Sequence, residues 1–303
     1  MTGKAPPKPA VDQGGGMSLR FWGVRGSLPS PGPATVRYGG NTLCVELRCG
    51  PHLLILDAGS GLREFGNALR AHGVPVNADI LISHTHLDHI CGLPFFAPMF
   101  DRRAHIRFWG GHLAPPDGIA AALQRSLQPP LMPDMMTEFR AQIEFRDFVP
   151  GKPVQLHPGF PVGTTMLRHP GNAVGYRINW GGKSVCYITD TEHPADGLDE
   201  NLRRFVADAD IMIYDASYTD AEYQSRIGWG HSTWQAAAQL ADAAAVRQLV
   251  LFHHEPGHDD ATMDGIARAI VDRRPGSLVA MEGMRLDVGG VAALAGGRRG
   301  ARR

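Results

Sequence analysis

Residues 80–89 read Ile80-Leu81-Ile82-Ser83-His84-Thr85-His86-Leu87-Asp88-His89. The apolar run at the start predicts a buried strand, and four side chains with metal-binding atoms follow it within six residues. A neutral histidine nitrogen binds Zn2+, Mn2+ or Fe2+, and an aspartate adds an anionic oxygen that suits harder metals. Removing these four groups from water together without a cation would be costly. The stretch therefore predicts a metal site at the end of a strand.

Other short apolar runs predict the rest of a sheet, and they lie at residues 43–47, 53–56, 80–82, 184–188, 211–214 and 249–252. Several of them are followed by a polar residue able to bind metal or phosphate, and an α/β sheet holds its chemistry at such strand ends. Residues 233–246 predict a helix, with Ser232 as N-cap and an apolar face rich in alanine. The alternation of strands and helices indicates an α/β fold.

The two ends of the chain differ from this central part in composition. Residues 1–16 are rich in Pro, Gly and Lys, and residues 291–303 are rich in Gly and Arg. Such compositions do not bury enough apolar surface to fold. We therefore expect two disordered tails, the second one basic, around one domain at residues 17–290.

Residues 102–155 interrupt the alternation. They contain Pro115-Pro116, Pro129-Pro130 and three methionines at 132, 135 and 136. We expect an insertion with little regular structure beyond a short helix at residues 119–127. A long loop of this kind is often a lid or a binding element, and a padded surface loop is the alternative.

The composition indicates in which compartment the protein works and which classes of partner it does not bind. The chain has 30 basic and 30 acidic residues, and this neutrality disfavours a surface built for a long polyanion. The apolar runs are too short to cross a bilayer, and no apolar signal core follows the N-terminal lysines. Four cysteines without CxxC spacing predict free thiols in a reducing cytoplasm. We expect a cytoplasmic protein without a membrane or long nucleic-acid partner.

The stretch at 80–89 also matches the HxHxDH signature of the metallo-β-lactamase superfamily. This resemblance implies a four-layer αββα sandwich with a metal site at one edge. It also implies two divalent ions per chain, with Zn2+ as the first choice and Mn2+ or Fe2+ as alternatives. The later ligand positions are filled in the expected chain order by His169, Asp190 and one of the neighbours His253 and His254. Of these two, His253 fits the strand end better, and His254 would then support the ligands or contact the substrate.

The resemblance further implies how the ligands divide. One ion would be bound by His84, His86 and His169, and the other by Asp88, His89 and His253. Asp190 would bridge the two ions, which would hold a shared water as hydroxide and stabilise an in-line displacement. Asp57, at an earlier strand end, would accept a hydrogen bond from a ligating histidine or position the loop, and a purely structural turn is the alternative.

The C-terminal half resembles ribonuclease Z. The likeness covers the acidic strand end at residues 209–218, the segment Gly230-His231-Ser232-Thr233 that opens an alanine-rich helix, and the strand before His253. It implies that His231 contacts the scissile phosphate and stabilises or protonates the leaving oxygen. His231 and Asp88 are therefore the two candidate catalytic residues. A helix N-terminus favours anions, and a histidine beside it can donate a proton. Without the resemblance, His231 would be only a histidine at a helix start.

The N-terminal half is similar to bacterial proteins related to the phosphoribosyl cyclic phosphodiesterases, in residues 21–27, 38–42 and 282–284. That similarity makes Arg25, Arg37 and Asn41 candidates to face the phosphate of the substrate. A surface role for Arg25 is the alternative. Related phosphodiesterases are commonly dimers, and a homodimer is therefore expected.

Ribonuclease Z grips tRNA with a flexible arm that we do not identify in this sequence. The resemblance therefore implies a metal-dependent phosphodiesterase for a small substrate, such as a cyclic nucleotide or cyclic sugar phosphate. The insertion would roof the pocket or form a core of its own, with Met132, Met135, Met136, Phe139 and Phe145. The alternatives are a carboxylic ester, thioester or lactone hydrolase of the same fold, an RNA-processing nuclease, and a metal-binding sensor module without turnover.

Overall fold

The computed structural model describes residues 15–113 and 118–289 of the 303-residue chain. The tails expected at residues 1–16 and 291–303 lie almost wholly outside these ranges. Among the described residues, no helix is both long and apolar enough to traverse a lipid bilayer.

The described residues form fourteen strands: β1 (Met17–Gly23), β2 (Cys44–Cys49), β3 (His52–Leu56), β4 (Asn77–Ile82), β5 (His105–Gly110), β6 (Gln142–Asp147), β7 (Val154–His157), β8 (Phe160–Leu167), β9 (Ala173–Trp180), β10 (Lys183–Ile188), β11 (Ile211–Asp215), β12 (Gln248–Phe252), β13 (Leu278–Val279) and β14 (Arg285–Asp287). Eight α-helices accompany them: α1 (Gly61–His72), α2 (Leu87–Ile90), α3 (Ile119–Ser126), α4 (Met135–Glu138), α5 (Glu200–Phe205), α6 (Asp220–Tyr223), α7 (Trp234–Ala243) and α8 (Asp260–Arg273).

The strands form two seven-stranded sheets. The first has the order β14-β1-β2-β3-β4-β5-β6 and the second the order β13-β12-β11-β10-β9-β8-β7. Strands β3 to β6 are mutually parallel, and so are β10 to β13. Parallel strands are usually covered on both faces, and β4 and β11 accordingly consist almost entirely of buried residues.

Three apolar clusters show how the layers stack. One lies between the two sheets and joins residues such as Leu54 of β3 to Tyr176 of β9. A second packs α7 and α8 on the outer face of the second sheet, and a third packs α1 and α3 on the outer face of the first. The arrangement is a four-layer αββα sandwich, as the resemblance implied.

The carboxyl ends of the parallel strands meet along one edge of the sandwich. Asp57 follows β3, Ser83 follows β4, and Asp190 lies two residues beyond β10. Asp215 ends β11, and His253 follows β12. The edge therefore collects polar residues that are far apart in sequence, in the manner of ligand sites in other α/β sheets.

The expected helix at 233–246 is shorter in the structure and has a different N-cap. It is α7, and the hydroxyl of Thr233, rather than Ser232, accepts a hydrogen bond from the backbone of Ala236 at 3.1 Å. The Ser232 hydroxyl instead lies 2.9 Å from His193 Nδ1. A side-chain cap needs an extended residue directly before the first turn, and here that residue is Thr233.

The expectation of little regular structure at residues 102–155 was wrong. The segment supplies β5 and β6, which extend the first sheet by parallel pairing, as well as α3 and β7. Phe139 is buried, and Met135, Met136 and Phe145 pack against the cluster beneath the helices of the first sheet. These side chains thus form core, which was the alternative to a roof. Turn-forming prolines dominated the sequence pattern and hid two strands whose pairing partners are distant in sequence.

Candidate metal centre

Three histidine nitrogens meet at the first half of the site. The Nε2 atom of His84 lies 2.8 Å from Nδ1 of His86, and Nε2 of His169 lies 3.1 Å from that same atom. Ligand atoms held ~2.0–2.1 Å from a zinc ion in a tetrahedron stand roughly 3.3 Å apart. The three nitrogens are therefore close to the separation that one cation requires.

The second half of the site contains one carboxylate and two histidines. Asp88 Oδ2 lies 3.2 Å from His89 Nε2 and 3.6 Å from His253 Nε2. Both separations are near the same tetrahedral value. Asp88, His89 and His253 are buried, and so their ligand atoms face each other rather than bulk water.

Asp190 stands between the two halves. Its Oδ1 atom lies 3.8 Å from His84 Nε2 and 3.9 Å from His169 Nε2 on one side. On the other side, Oδ1 lies 3.2 Å from His253 Nε2, and Oδ2 lies 3.3 Å from His89 Nε2. One carboxylate is thus within reach of both groups, which is the geometry of a bridging ligand.

Two features of these side chains fit a bound cation. The Nε2 atoms of His89 and His253 are buried and make no hydrogen bond of normal geometry, although oxygens of Asp88 and Asp190 lie 3.2–3.6 Å away. The opposite ring nitrogens are engaged: His89 Nδ1 with Asp57, His253 Nδ1 with the Ser217 hydroxyl, and His169 Nδ1 with the carbonyl of Gly230. Metal-binding histidines characteristically use their second nitrogen in this way.

The backbone at this edge is strained where the site residues leave their strands. Asp57, Asp190 and His253 have φ angles of 58°, 54° and 59°. This left-handed region is costly for residues other than glycine, and such strain clusters at functional sites.

Asp57 supports the second half of the site from below. It is fully buried, and its Oδ2 atom accepts hydrogen bonds from His89 Nδ1, the Ser83 hydroxyl and the Tyr187 hydroxyl, each at 2.8 Å. Its Oδ1 atom accepts the Ser83 backbone N–H at 2.7 Å. This contact to a candidate ligand is the kind that the sequence analysis expected of Asp57.

The protonation states also suit metal ligands. Burial lowers the pKa values of His84, His86 and His169, and these rings are therefore neutral near pH 7. Burial alone would raise the pKa of Asp190, but the surrounding histidines, His253 first among them, hold it well below its usual range. A neutral nitrogen and an ionised carboxylate are the forms that bind cations.

His89 behaves differently in the metal-free protein, as does His253. Burial would lower the pKa of His89, but Asp190, Asp88 and Asp57 raise it well above its usual range. Asp190 leads the groups that raise the pKa of His253 in the same way against the effect of burial. Protons on these two rings balance the negative charge of the buried carboxylates. A bound cation would balance that charge in their place.

His231 lies beside the candidate ligands, at the start of the segment before α7. Its ring stacks on that of His253 at 4.6 Å between centroids, and its Nδ1 atom lies 3.9 Å from Asp190 Oδ1. The same nitrogen makes a 2.8 Å hydrogen bond to Asp215 Oδ2. Asp215 was not predicted as a site residue from the sequence, although it ends the buried strand β11.

The candidates for phosphate contact lie elsewhere, and that expectation was wrong for Arg25. Arg25 is fully buried, and its guanidinium donates to the carbonyls of Gly39, Glu255 and His258 at 2.6–3.0 Å. It ties together three loops. A guanidinium matches carbonyl groups as readily as phosphate oxygens, and only the tertiary environment distinguishes the two uses.

Asn41 and Arg37 also bind protein groups. The amide of Asn41 donates to Glu282 at 3.1 Å and accepts from the Ser60 hydroxyl at 3.0 Å. Arg37 forms a two-pronged pair with Asp264 at 2.7 and 2.8 Å on the surface. Neither interaction involves the candidate metal ligands.

Of the two neighbouring histidines, the structure brings only His253 to the other ligands. His254 turns the opposite way, and its Nε2 atom lies 2.8 Å from the carbonyl of Ala280. The ring is buried, and burial lowers its pKa to about 3. The choice between the two depends on the left-handed turn at His253, which rotates that side chain back towards Asp190.

Comparisons with known proteins agree with this architecture. A sequence profile described as the beta-lactamase superfamily domain matches residues 52–254. The chain is 24% identical over 299 residues to a protein named ribonuclease Z from Bradyrhizobium diazoefficiens, covering 80% of this chain and 91% of the relative.

Solved structures show the same fold. The metallo-beta-lactamase fold protein YhfI from Bacillus subtilis superposes with a TM-score of 0.67 at 19% identity, covering 90% of this chain and 99% of that one. A diphosphatase of the PhnP family superposes with a TM-score of 0.63 at 17% identity, over 89% and 97%. Together with the αββα layers and the histidine-rich edge, these matches establish that the chain belongs to the beta-lactamase superfamily and is a hydrolase of the metallo-β-lactamase fold.

Proposed function

We propose that this protein is a cytoplasmic phosphodiesterase that uses two divalent cations, Zn2+ or else Mn2+ or Fe2+, on a small phosphodiester such as a cyclic nucleotide or cyclic sugar phosphate. The observation that carries the proposal is the pair His231–Asp215. His231 stacks on His253 and its Nδ1 atom lies 3.9 Å from Asp190 Oδ1, yet neither group of three needs it to be complete. Its Nδ1 atom is hydrogen-bonded to Asp215 at 2.8 Å, and a histidine held in that way can act on a substrate through Nε2.

The residues divide the work as follows. Two cations, when bound, lower the pKa of water and stabilise the oxygens of an in-line displacement at phosphorus. Asp215 holds Nδ1 of His231, which fixes the orientation of the ring and leaves Nε2 as the atom that can exchange a proton. An alkoxide leaving from phosphorus needs a proton, and His231 supplies it from the side opposite to Asp215.

Two further facts support a small phosphorus substrate. The names ribonuclease Z and diphosphatase belong to relatives that act on phosphorus–oxygen bonds, and both likenesses extend over most of this chain. The formal net charge of the whole chain is zero. A protein that grips a long polyanion gains its affinity from many basic residues, and this composition provides no excess of them.

The test compares substrates whose leaving groups differ in whether they need a proton to depart. Protein loaded with Zn2+ or Mn2+ is assayed on 3′,5′-cyclic AMP, bis-p-nitrophenyl phosphate, p-nitrophenyl acetate and a precursor tRNA. We expect His231→Ala to lower kcat on the cyclic nucleotide by about 10²–10⁴-fold. The loss on bis-p-nitrophenyl phosphate should be smaller, because p-nitrophenolate departs without a proton.

The control variant is His157→Ala, which removes a histidine that contacts Asp79 and none of the candidate ligands. It should retain activity, and both variants should retain the metal content of the wild type. Turnover of the acetate alone would instead identify an acyl hydrolase. Cleavage restricted to the precursor tRNA would identify an RNA-processing nuclease, and an absence of all turnover in fully loaded protein would leave a metal-binding sensor.

A further inference from the structure

A cavity of about 530 Å³ lies beside the metal centre, between the loop after β5 and the turn before β9. Its walls include Leu113, Phe148, Val149 and Met166, and its polar lining consists of His112, Asp147 and Asn172. Cavities of ~300–1,000 Å³ with apolar walls and a few convergent polar groups are typical of small-molecule sites. None of the residues assigned above to metal or proton transfer lines this cavity.

The cavity connects to both ligand-bearing loops. His112 Nε2 lies 3.0 Å from the hydroxyl of Thr85, the residue between His84 and His86, and the rings of His112 and His84 are 6.5 Å apart. On the other side, the backbone of Asn172 donates to the carbonyl of His169 at 3.0 Å. A substrate held at the metal centre therefore has this cavity as its immediate neighbour.

One wall of the cavity is a fixed aromatic ring. Phe148 packs edge-on to Tyr176 at 6.2 Å between centroids. It also lies so close to the backbone at Gly111 that a Cβ there would stand 2.4 Å from the ring. Val149 and Met166 are 75% and 44% exposed. Apolar surface is thus displayed next to a polar centre, around an aromatic ring that packs against Tyr176 and Gly111.

The described lining carries no cation, and two of its polar groups are only partly bonded. Its one carboxylate, Asp147, accepts the backbone N–H of Ile119 at 2.7 Å. His112 is only 4% exposed, and its Nδ1 atom has no hydrogen-bond partner. Burial lowers its pKa to about 4, and so the ring is neutral at pH 7. The amide nitrogen of Asn172 makes only a long 3.4 Å contact, to the carbonyl of His112, and its backbone has a φ of 67°. No lysine or arginine lines the described part of the cavity.

We infer that this cavity binds the planar heteroaromatic base of a nucleotide substrate while its phosphodiester lies at the metal centre, an inference that rests on the proposed function. A second phosphate would require basic residues, which the lining lacks. A purely alkyl group would leave His112 Nδ1 and the Asn172 amide unsatisfied. A base satisfies both requirements, because its face stacks on an aromatic wall and its edge exchanges hydrogen bonds with amide and imidazole groups.

The test measures binding rather than turnover. The affinities of adenosine 5′-monophosphate and ribose 5-phosphate, which differ by the base, are determined by calorimetry on zinc-loaded protein. The wild type should prefer the nucleotide by about tenfold or more, the usual contribution of one stacked base. Val149→Trp should fill the cavity and abolish this preference while ribose 5-phosphate still binds.

Two further variants make the result specific. Val74→Trp changes another exposed valine, in the turn before β4 at the opposite end of that strand, and it should preserve the preference. Asn172→Gly keeps a residue that tolerates positive φ and removes the amide, and it should weaken the nucleotide alone by about fivefold, roughly the value of one hydrogen bond.

Equal affinities in the wild type, or equal losses for both ligands in Val149→Trp at unchanged zinc content, would overturn the base site. That failure differs from a failure of the proposed function. If the base preference is present but no phosphodiester is hydrolysed, then the phosphodiesterase assignment is wrong and the base site stands.

Discussion

Replacing Asp57 by asparagine tests how strongly the buried carboxylate supports the metal centre. In the protein, Oδ2 accepts three hydrogen bonds and Oδ1 accepts one. The new amide group therefore costs least when it occupies the Oδ1 position. There it faces the Ser83 backbone N–H and breaks one bond, while His89 and Tyr187 keep a neutral acceptor.

The magnitude follows from this geometry. One buried N–H without a partner costs about 1–3 kcal/mol of folding free energy. The loss of the negative charge next to His89 also weakens the orientation and basicity of that ligand, and changes of this type lower metal affinity by ~10–100-fold. The effect on affinity should be confined to the half of the site that contains His89.

The assay separates these two effects. Urea unfolding of chelator-treated protein gives the stability, and competition with a chromogenic chelator gives the two zinc affinities. Asp79→Asn is the matched control, because Asp79 is a buried carboxylate of β4 that binds Arg107, Trp109 and His157 instead. It should destabilise the protein but leave zinc affinity unchanged. Wild-type affinity in Asp57→Asn, or an equal loss of affinity in Asp79→Asn, would refute the reasoning.

The remaining predictions concern proton transfer, proton release and a buried cation. Asp215→Asn should lower kcat on a cyclic nucleotide by at least ~10²-fold with zinc content unchanged, because His231 loses its orienting acceptor, and an unaltered kcat would contradict this. Zinc binding should release protons at pH 7 and weaken as the pH falls, because carboxylates raise the pKa values of His89 and His253 in the metal-free protein. Calorimetry in buffers of different ionisation enthalpy measures this release, and identical heats would count against it. Arg25→Met should cost at least ~2 kcal/mol in urea unfolding, because three carbonyl groups lose a charged donor, and little change in KM should accompany it.

The sequence was most informative for the candidate ligands that lie together in one short stretch. Residues 84–89 place four donors on one turn after a strand, and no folding is needed to see that they are neighbours. His169, Asp190 and His253 could be named only through a family resemblance, because nothing local distinguishes a ligating histidine from a structural one. The resemblance was less reliable for Arg25, which has the same side-chain chemistry whether it binds carbonyl groups or phosphate.

The strands at residues 105–110 and 142–147 escaped prediction for a related reason. Strand propensity depends on the neighbours that a strand pairs with and packs against. In this chain β6 is the edge strand of the first sheet and pairs with β5, which in turn pairs with β4. The prolines between β5 and β6 suggested a loop instead. Their existence is a property of the assembled sheet.

By itself the sequence located the metal-binding segment and six of the fourteen described strands, since these depend on residue type and short spacing. Tertiary structure alone decided that His253 rather than His254 turns to the centre, that Asp215 holds His231, and that a cavity opens beside His112. Each of these facts depends on which strand ends lie side by side and on the left-handed turns that aim their side chains. Such relations join residues on different strands and loops, 16 positions apart for Asp215 and His231 and 63 for Asp190 and His253, and only folding brings each pair within 3.2 Å.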